Sequence, residues 1–437
     1  MQIVKINIIG GGLAGCECAY QLLKRGYNVT MYEMKGKKFS PAHHMETLAE
    51  LVCSNSLKST DFASASGVLK RELNAFDCLL LNIANETKVP AGNALAVDRE
   101  LFSKLVTDKL CSYNNFTLIR EEVTQLPHDG ITVIATGPLT SEALNEAISK
   151  IVDNNLYFFD AIAPIVDANT IDYDIAYIKD RYDKGDGDYI NLPFTKVEYE
   201  VFYNELIDAQ IVDLHDFEKH KVYEGCMPIE VLAKRGEDAM RFGPMKPVGL
   251  TDPHTGKTPY AVVQLRKESN STSMYNIVGF QTNLTYPEQK RVFRLIPGLK
   301  NAEFYRFGTM HKNTYICSPK ILNEFFQVKD NPNIFFAGQI SGVEGYVESI
   351  ASGLMVGINI SRILSNLPLI SYGNNTMLGA LSRHISTDVT DFQPMSSNMG
   401  LINTDVPRIK DKKQRYEYIS DRSYQEIMEI IKKMEEV

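Results

Sequence analysis

The stretch that most constrains the fold lies near the amino-terminal end, IVKINIIGGGLAGCECAYQLLKRGYNVTMYE. An apolar run reads as a strand, and Gly10, Gly12 and Gly15 follow at GxGxxG spacing. CECAYQLLKRG then reads as a helix, and NVTMYE as a second strand ending in Glu33. Glycines there permit a tight turn and let backbone N–H groups approach a pyrophosphate at the helix N-terminus. Glu33, eighteen residues past the third glycine, is placed to accept hydrogen bonds from ribose hydroxyls. Strand, glycines, helix, strand and acid in that order are a much narrower signal than the glycines alone.

Two later segments extend the same unit and point to FAD more than to NAD. DGITVIATGP, residues 129–138, is an apolar strand running into a turn at Gly137. NPNIFFAGQISGVEGYVESIASGLMVGINI, residues 331–360, is a strand, a loop with Gly338, Gln339, Gly342 and Gly345, and a helix rich in small residues. Many flavoproteins carry Asp where Gln339 stands. Between these segments, YAVVQLRK and MYNIVGFQT read as strands, and TKVEYEVFYNELIDAQ and PIEVLAKRG as helices. The expected fold is α/β: a discontinuous Rossmann-like FAD-binding domain of residues 1–155 and 328–437, interrupted by an inserted α/β module at 156–327 for substrate, folate or RNA. SYQEIMEIIKKMEEV has the spacing of a terminal amphipathic helix.

A net charge of −8 disfavours indiscriminate nucleic-acid binding but permits a local basic face. Two stretches offer one: Lys234, Arg235, Arg241 and Lys246, then Lys290, Arg291, Arg294, Arg306 and Lys312. No run of eighteen apolar residues suggests a membrane span, and the chain opens on a strand where a signal peptide would have a basic and an apolar region. The expected location is the cytoplasm. Seven cysteines without CxxC spacing argue for reduced thiols, against a disulfide framework and against a zinc site. Cys16, Cys18 and Cys78 sit in apolar contexts and read as core residues.

Two cysteines have unusual settings. In YEGCMPIEVLAKRG, Pro228 suits a first helical position, which would put Cys226 at a helix N-terminus where a thiolate is favoured. In ELVCSNSLKS, Cys53 is followed by Ser54, Asn55 and Ser56, which reads as another helix start. An unperturbed thiol, with a pKa of about 8.5, is only slightly ionised at neutral pH, so such settings matter for a nucleophile.

At longer range, the blocks PAHHMETLAELVCSNSLKS, EGCMPIEVLAKRGEDAMRFGPMKPVGL, VGFQTNLTYPEQKRVFRLIPGLKNAEFYRFGTMHKNTYICSP, AGQISGVEGYVESIASG and FQPMSSNMGL span nearly the whole chain. With GGGLAG they make it resemble the folate- and flavin-dependent RNA uracil-5 methyltransferases, relatives of GidA known as TrmFO when tRNA is the substrate. Gln339 belongs to this family's own block. The resemblance implies FAD, 5,10-methylenetetrahydrofolate and NADPH or NADH as cofactors, and RNA as partner. The T-loop uridine of tRNA is the first substrate, and a uridine of 23S ribosomal RNA is the alternative.

It also implies roles for residues. Cys226 is expected to add to C6 of uracil, with Cys53 as its partner near the flavin; the reverse assignment stays open. His43 and His44 would flank flavin or folate, and His311, Lys312, Asn313 and Tyr315 would meet folate or RNA. Arg235 and Lys246 would contact RNA phosphates. Cys317, where many members have Asn, and Leu192, where many have Cys, mark departures that leave both candidate cysteines in place. A GidA-type enzyme would be expected to continue into a long helical domain, and a disulfide reductase would need a closely spaced cysteine pair. A non-catalytic RNA-binding flavoprotein is the remaining alternative.

Overall fold

The computed structural model of the chain describes all residues except 1–3, 153–155, 162, 184–186, 213–226, 268–272, 309, 390–391, 403–405, 408 and 437, and omits the side chains of 156–161, 183 and 310–312. Its first sheet has six strands in the order Gln327–Val328, Asn331–Phe336, Ile131–Ile134, Ile6–Ile9, Val29–Glu33 and Phe116–Arg120. All neighbours run parallel except the edge pair Gln327–Val328 and Asn331–Phe336. The central strands Ile6–Ile9 and Ile131–Ile134 are buried at every residue and read as apolar runs, whereas Val29–Glu33 alternates and the edge strand Phe116–Arg120 is partly exposed. The chain goes to one side of Ile6–Ile9 first and later returns on the other, beside Ile131–Ile134. In an open α/β sheet, ligands bind at such a switch point, outside the carboxyl ends of the strands.

Helix Leu13–Leu23, buried along its whole length, packs on helix Tyr346–Leu364 at close range. The small residues of the second helix permit this: a Cβ on Gly353 would stand 2.1 Å from the Ala14 carbonyl oxygen. Helix Tyr346–Leu364 is long and apolar enough to cross a bilayer, yet 83% of that window is buried inside the protein, as befits a core helix. Cys16, Cys18 and Cys78 are buried in this core, and burial pushes all three thiols up.

The second sheet is antiparallel, with six strands in the order Tyr177–Ile178, Tyr189–Phe194, Ala261–Lys267, Met274–Ile277, Ile165–Asp167 and Phe304–Arg306. It has its own core, built around Phe194, Tyr199, Phe202, Phe280 and Phe293. Helix Lys196–Ile207 covers it, started by a capping box between Thr195 and Glu198. Leu192 lies fully buried there, where a thiol would be equally at home. The chain leaves the first sheet and comes back along an antiparallel ribbon of Leu156–Ala161 and Met310–Tyr315. The terminal helix runs Lys412–Glu435, longer than its sequence signal, and rests on helix Ala65–Ala75.

Candidate functional site

The nucleotide crease follows directly from its glycines. Gly10 takes φ +105°, and its N–H donates to the Tyr32 carbonyl at 2.8 Å, turning the chain off its strand. A Cβ on Gly15 would stand 2.0 Å from the Gly10 carbonyl oxygen, so only glycine lets the helix start this close to the turn. Beside them Gly12 faces open space. Glu33 is fixed by backbone: its Oε2 accepts from Gly11 N–H at 2.7 Å and its Oε1 from Lys35 N–H at 2.9 Å. Gly10, Gly12 and Glu33 border a narrow cleft that also touches His43, Val123 and Thr136.

Gly137, Gly338 and Gly342 hold positive φ angles in loops that follow the strands. Gly338 N–H donates to Ser352 Oγ at 2.7 Å, and Gln339 donates to Glu344. Gly345 leads into helix Tyr346–Leu364. This places the glycines named from sequence on the carboxyl side of the parallel strands.

Cys53 lies in the loop before strand Ser56–Ser59, which pairs with Ala94–Val97. The expected helix start is therefore a strand start. The Ser–Asn–Ser run has N-cap composition, but long-range pairing decides its conformation. Tyr346 holds this loop, its hydroxyl oxygen accepting from Cys53 N–H at 2.9 Å and Ser54 N–H at 3.1 Å. From the second sheet, Arg266 donates to Asn55 Oδ1 at 3.0 Å and to Ser54 Oγ at 3.3 Å. The thiol's loop is thus held between the start of helix Tyr346–Leu364 and the second sheet.

A second cleft of about 230 Å³ is lined by His44, Val52, Arg99 and, from the second sheet's unit, Met274, Tyr305 and Arg306. Five residues past Cys53, Lys58 adopts φ +63°, a left-handed conformation that is uncommon outside glycine and clusters at functional sites. Its ammonium meets Glu348 Oε1 at 3.1 Å. Glu348 is fully buried and also accepts from Ser397 N–H and Oγ, at 2.9 and 2.6 Å. Its other oxygen is buried without a protein partner. Neither Tyr346 nor Glu348 has a sequence signature that singles it out.

Other expected residues fall less neatly. Cys226 lies outside the described residues. The helix after it runs only Ile229–Ala233, with Pro228 as its N-cap rather than its first helical residue, so little macrodipole accumulates there. Tyr315 is 3% exposed, packed on Phe392 and donating to its carbonyl, so its ring offers no stacking face; Asn313 is buried as well. His311 and Lys312 belong to the returning ribbon, and their side chains are not described. Arg235 and Lys246 are exposed on the second sheet's unit. The second basic stretch is largely engaged in structure: Arg291 pairs with Glu205 and Glu288, and Arg294 donates to the Ala302 carbonyl.

A sequence profile for the family described as glucose inhibited division protein A matches residues 5–368. Curated relatives match almost end to end. One from Acetivibrio thermocellus, described as methylenetetrahydrofolate–tRNA-(uracil-5-)-methyltransferase TrmFO, is 51% identical over 430 residues, covering 98% of this chain and 99% of its own. The chain belongs to this TrmFO family. A member from Streptococcus gordonii is 52% identical over 433 residues, covering 97% of this chain and 98% of its own. The solved structure of Aquifex aeolicus GidA superposes with a TM-score of 0.70 at 16% identity, over 99% of this chain and 79% of the other, and thus shares the fold. The residues present fit the FAD that the sequence called for: an open crease beside Gly12, a pre-set Glu33, and an unpartnered buried oxygen on Glu348.

Proposed function

We propose that this chain forms 5-methyluridine in tRNA, at the T-loop uridine, with 5,10-methylenetetrahydrofolate as carbon donor. The observation that carries this reading is the seat of Cys53, in a loop held by Tyr346 and Arg266 and next in the chain to Val52, which lines the second cleft. The name borne by relatives of about half-identical sequence supports it. FAD, when bound, supplies the hydride that turns a methylene into a methyl group, and NADPH or NADH restores it. The chain's own residues do the rest. The turn at Gly10 and Gly12 presents N–H groups to the pyrophosphate, and Glu33 accepts from the ribose. Residues 1–155 and 328–437 make up this FAD domain, and 156–327 the module that closes over the site.

C5 of uracil is a poor nucleophile until a thiolate adds at C6. In this reading Cys226 makes that bond, as the family resemblance implies, and C5 then attacks the one-carbon unit. As the bond from that carbon to the folate nitrogen breaks and tetrahydrofolate leaves, Cys53 takes the C5 proton; once a hydride has added to the resulting methylene, the C6–sulfur bond breaks and frees the methylated base. Arg99, Arg306 and Tyr305 make the second cleft suited to an anionic, partly aromatic ligand such as folate. The target uridine must leave its stack to arrive there. The enzyme works in the cytoplasm.

The test offers purified holoenzyme, methylenetetrahydrofolate and NADPH to either unmodified tRNA or a 23S ribosomal RNA fragment, with nucleoside analysis for 5-methyluridine. Product in tRNA, lost in Cys53→Ala while FAD stays bound, is the expected result. Product in the ribosomal fragment alone overturns the choice of substrate. No product in either overturns the assignment.

A further inference from the structure

The surface outside the catalytic loop carries a strip of alternating cations and aromatic rings. Helix Lys412–Glu435 opens with Lys412, Lys413 and Arg415, with exposed Lys410 just before it and no acid in its first turn. Asp411 caps this end, accepting from Gln414 N–H at 2.8 Å, and the cations that follow it oppose the helix dipole. Lys412 and Arg415 each stand 5.5 Å from the ring of Tyr416. Neither makes an ion pair among the described residues, and Lys413 reaches Glu417 only at 3.8 Å.

Two turns on, Tyr424 shares the face of Tyr416, and the guanidinium of Arg71 lies 4.4 Å from its ring. Arg71 also covers Phe62, at 5.0 Å, and pairs with Asp421 at 2.7 Å. Phe62 is 52% exposed, an unusual position for a phenylalanine that packs no core. Lys58, four residues before it, joins Glu348 and thereby the Tyr346 clamp on Cys53. From Lys412 to Tyr424 the helix covers about 18 Å at its standard rise.

We propose that this strip, from Lys412 through Tyr416, Tyr424, Arg71 and Phe62 to Lys58, is the docking track for the tRNA body. The proposal rests on the tRNA reading above. Ammonium and guanidinium groups neutralise phosphates, and the exposed ring of Phe62 beside them can stack on a splayed base. The chain as a whole carries −8, so a polyanion is held where cations gather and repelled elsewhere. This face presents exposed lysines beside half-buried tyrosine rings, which fits RNA rather than the hydrocarbon of a bilayer.

The experiment measures binding of unmodified tRNA to the FAD-loaded protein by fluorescence anisotropy over a salt series. The variant Lys412→Glu/Lys413→Glu/Arg415→Glu is expected to bind at least about tenfold more weakly at moderate salt. Its plot of log affinity against log salt should be shallower by about 2 to 3, one phosphate per cation. Phe62→Ala should weaken binding without changing that slope, since stacking releases no counterions. Wild-type affinity and slope in both variants, with FAD retained, would overturn the strip alone. A wild type that holds FAD yet binds no tRNA would overturn the reading of the site, and the strip with it. Loss of binding to phosphatidylserine vesicles with tRNA binding intact would assign the surface to a membrane and overturn the proposal.

Discussion

Tyr346→Phe isolates the contact that holds the candidate thiol. The ring stays, so packing at the start of helix Tyr346–Leu364 is preserved, and only the oxygen shared by two backbone donors is removed. Burial holds the Tyr346 hydroxyl above the ordinary phenol range, so it stays neutral at every working pH and keeps accepting from both N–H groups. Each hydrogen bond contributes about 1 kcal/mol net. Cys53 and Ser54 are half-buried, so water can reach the freed donors and the full stranding penalty does not apply. The loop should therefore loosen by about 2 kcal/mol, which is about a thirtyfold rise in its opening constant. Hydrogen exchange read on the peptide containing Cys53 and Ser54 should accelerate by about that factor, with the melting temperature little changed. Unchanged protection would mean that Tyr346 does not hold the loop, and the clamp would fail as an account of the Cys53 geometry.

Gly15→Ala should give folded protein without visible flavin absorbance, because the new Cβ collides with the Gly10 carbonyl and displaces the helix from the crease. Full flavin occupancy would show that the crease tolerates a wider turn. Glu72 is buried, accepts from Met377 N–H at 2.7 Å and Leu378 N–H at 2.9 Å, and its carboxyl is pushed up to about 7 by burial. Its folded pKa thus exceeds the unfolded value of 4.5, so its contribution is full below 4.5 and fades as pH rises through about 7. The loss is at most about 3 kcal/mol, and urea midpoints should fall across that window in wild type and stay flatter in Glu72→Gln. Lys58→Met leaves the Glu348 carboxylate buried with only Ser397 as partner. Urea unfolding should report a loss of about 1–3 kcal/mol, below the usual cost for a buried pair because Lys58 is 42% exposed.

The glycine turn after strand Ile6–Ile9 was legible because its requirements are local. Positive φ at Gly10 and close approach at Gly15 are demands that a few adjacent residues must meet, and the residues announce them. Glu33 was legible for the same reason. The setting of Cys53 was not. Ser54, Asn55 and Ser56 suit a helix cap, and what makes them enter a strand is pairing with residues about forty positions away. The Tyr346 clamp spans 293 residues, and nothing local to either partner foretells it. The helix after Pro228 stops at five residues although IEVLAKRG favours more, because Gly236 takes a positive φ and the chain turns. Tyr315, chosen as an aromatic beside a lysine, is buried by a residue from another segment, Phe392.

The central claim is that the methyl carbon comes from folate and enters uracil at the site of Cys53. The most direct measurement supplies unmodified tRNA, NADPH and methylenetetrahydrofolate labelled at its methylene carbon, alongside a parallel reaction with labelled S-adenosylmethionine. The account predicts label in 5-methyluridine from the folate alone, in FAD-loaded wild type and not in Cys53→Ala. Label arriving from S-adenosylmethionine, or none from folate despite bound and reducible FAD, would contradict it.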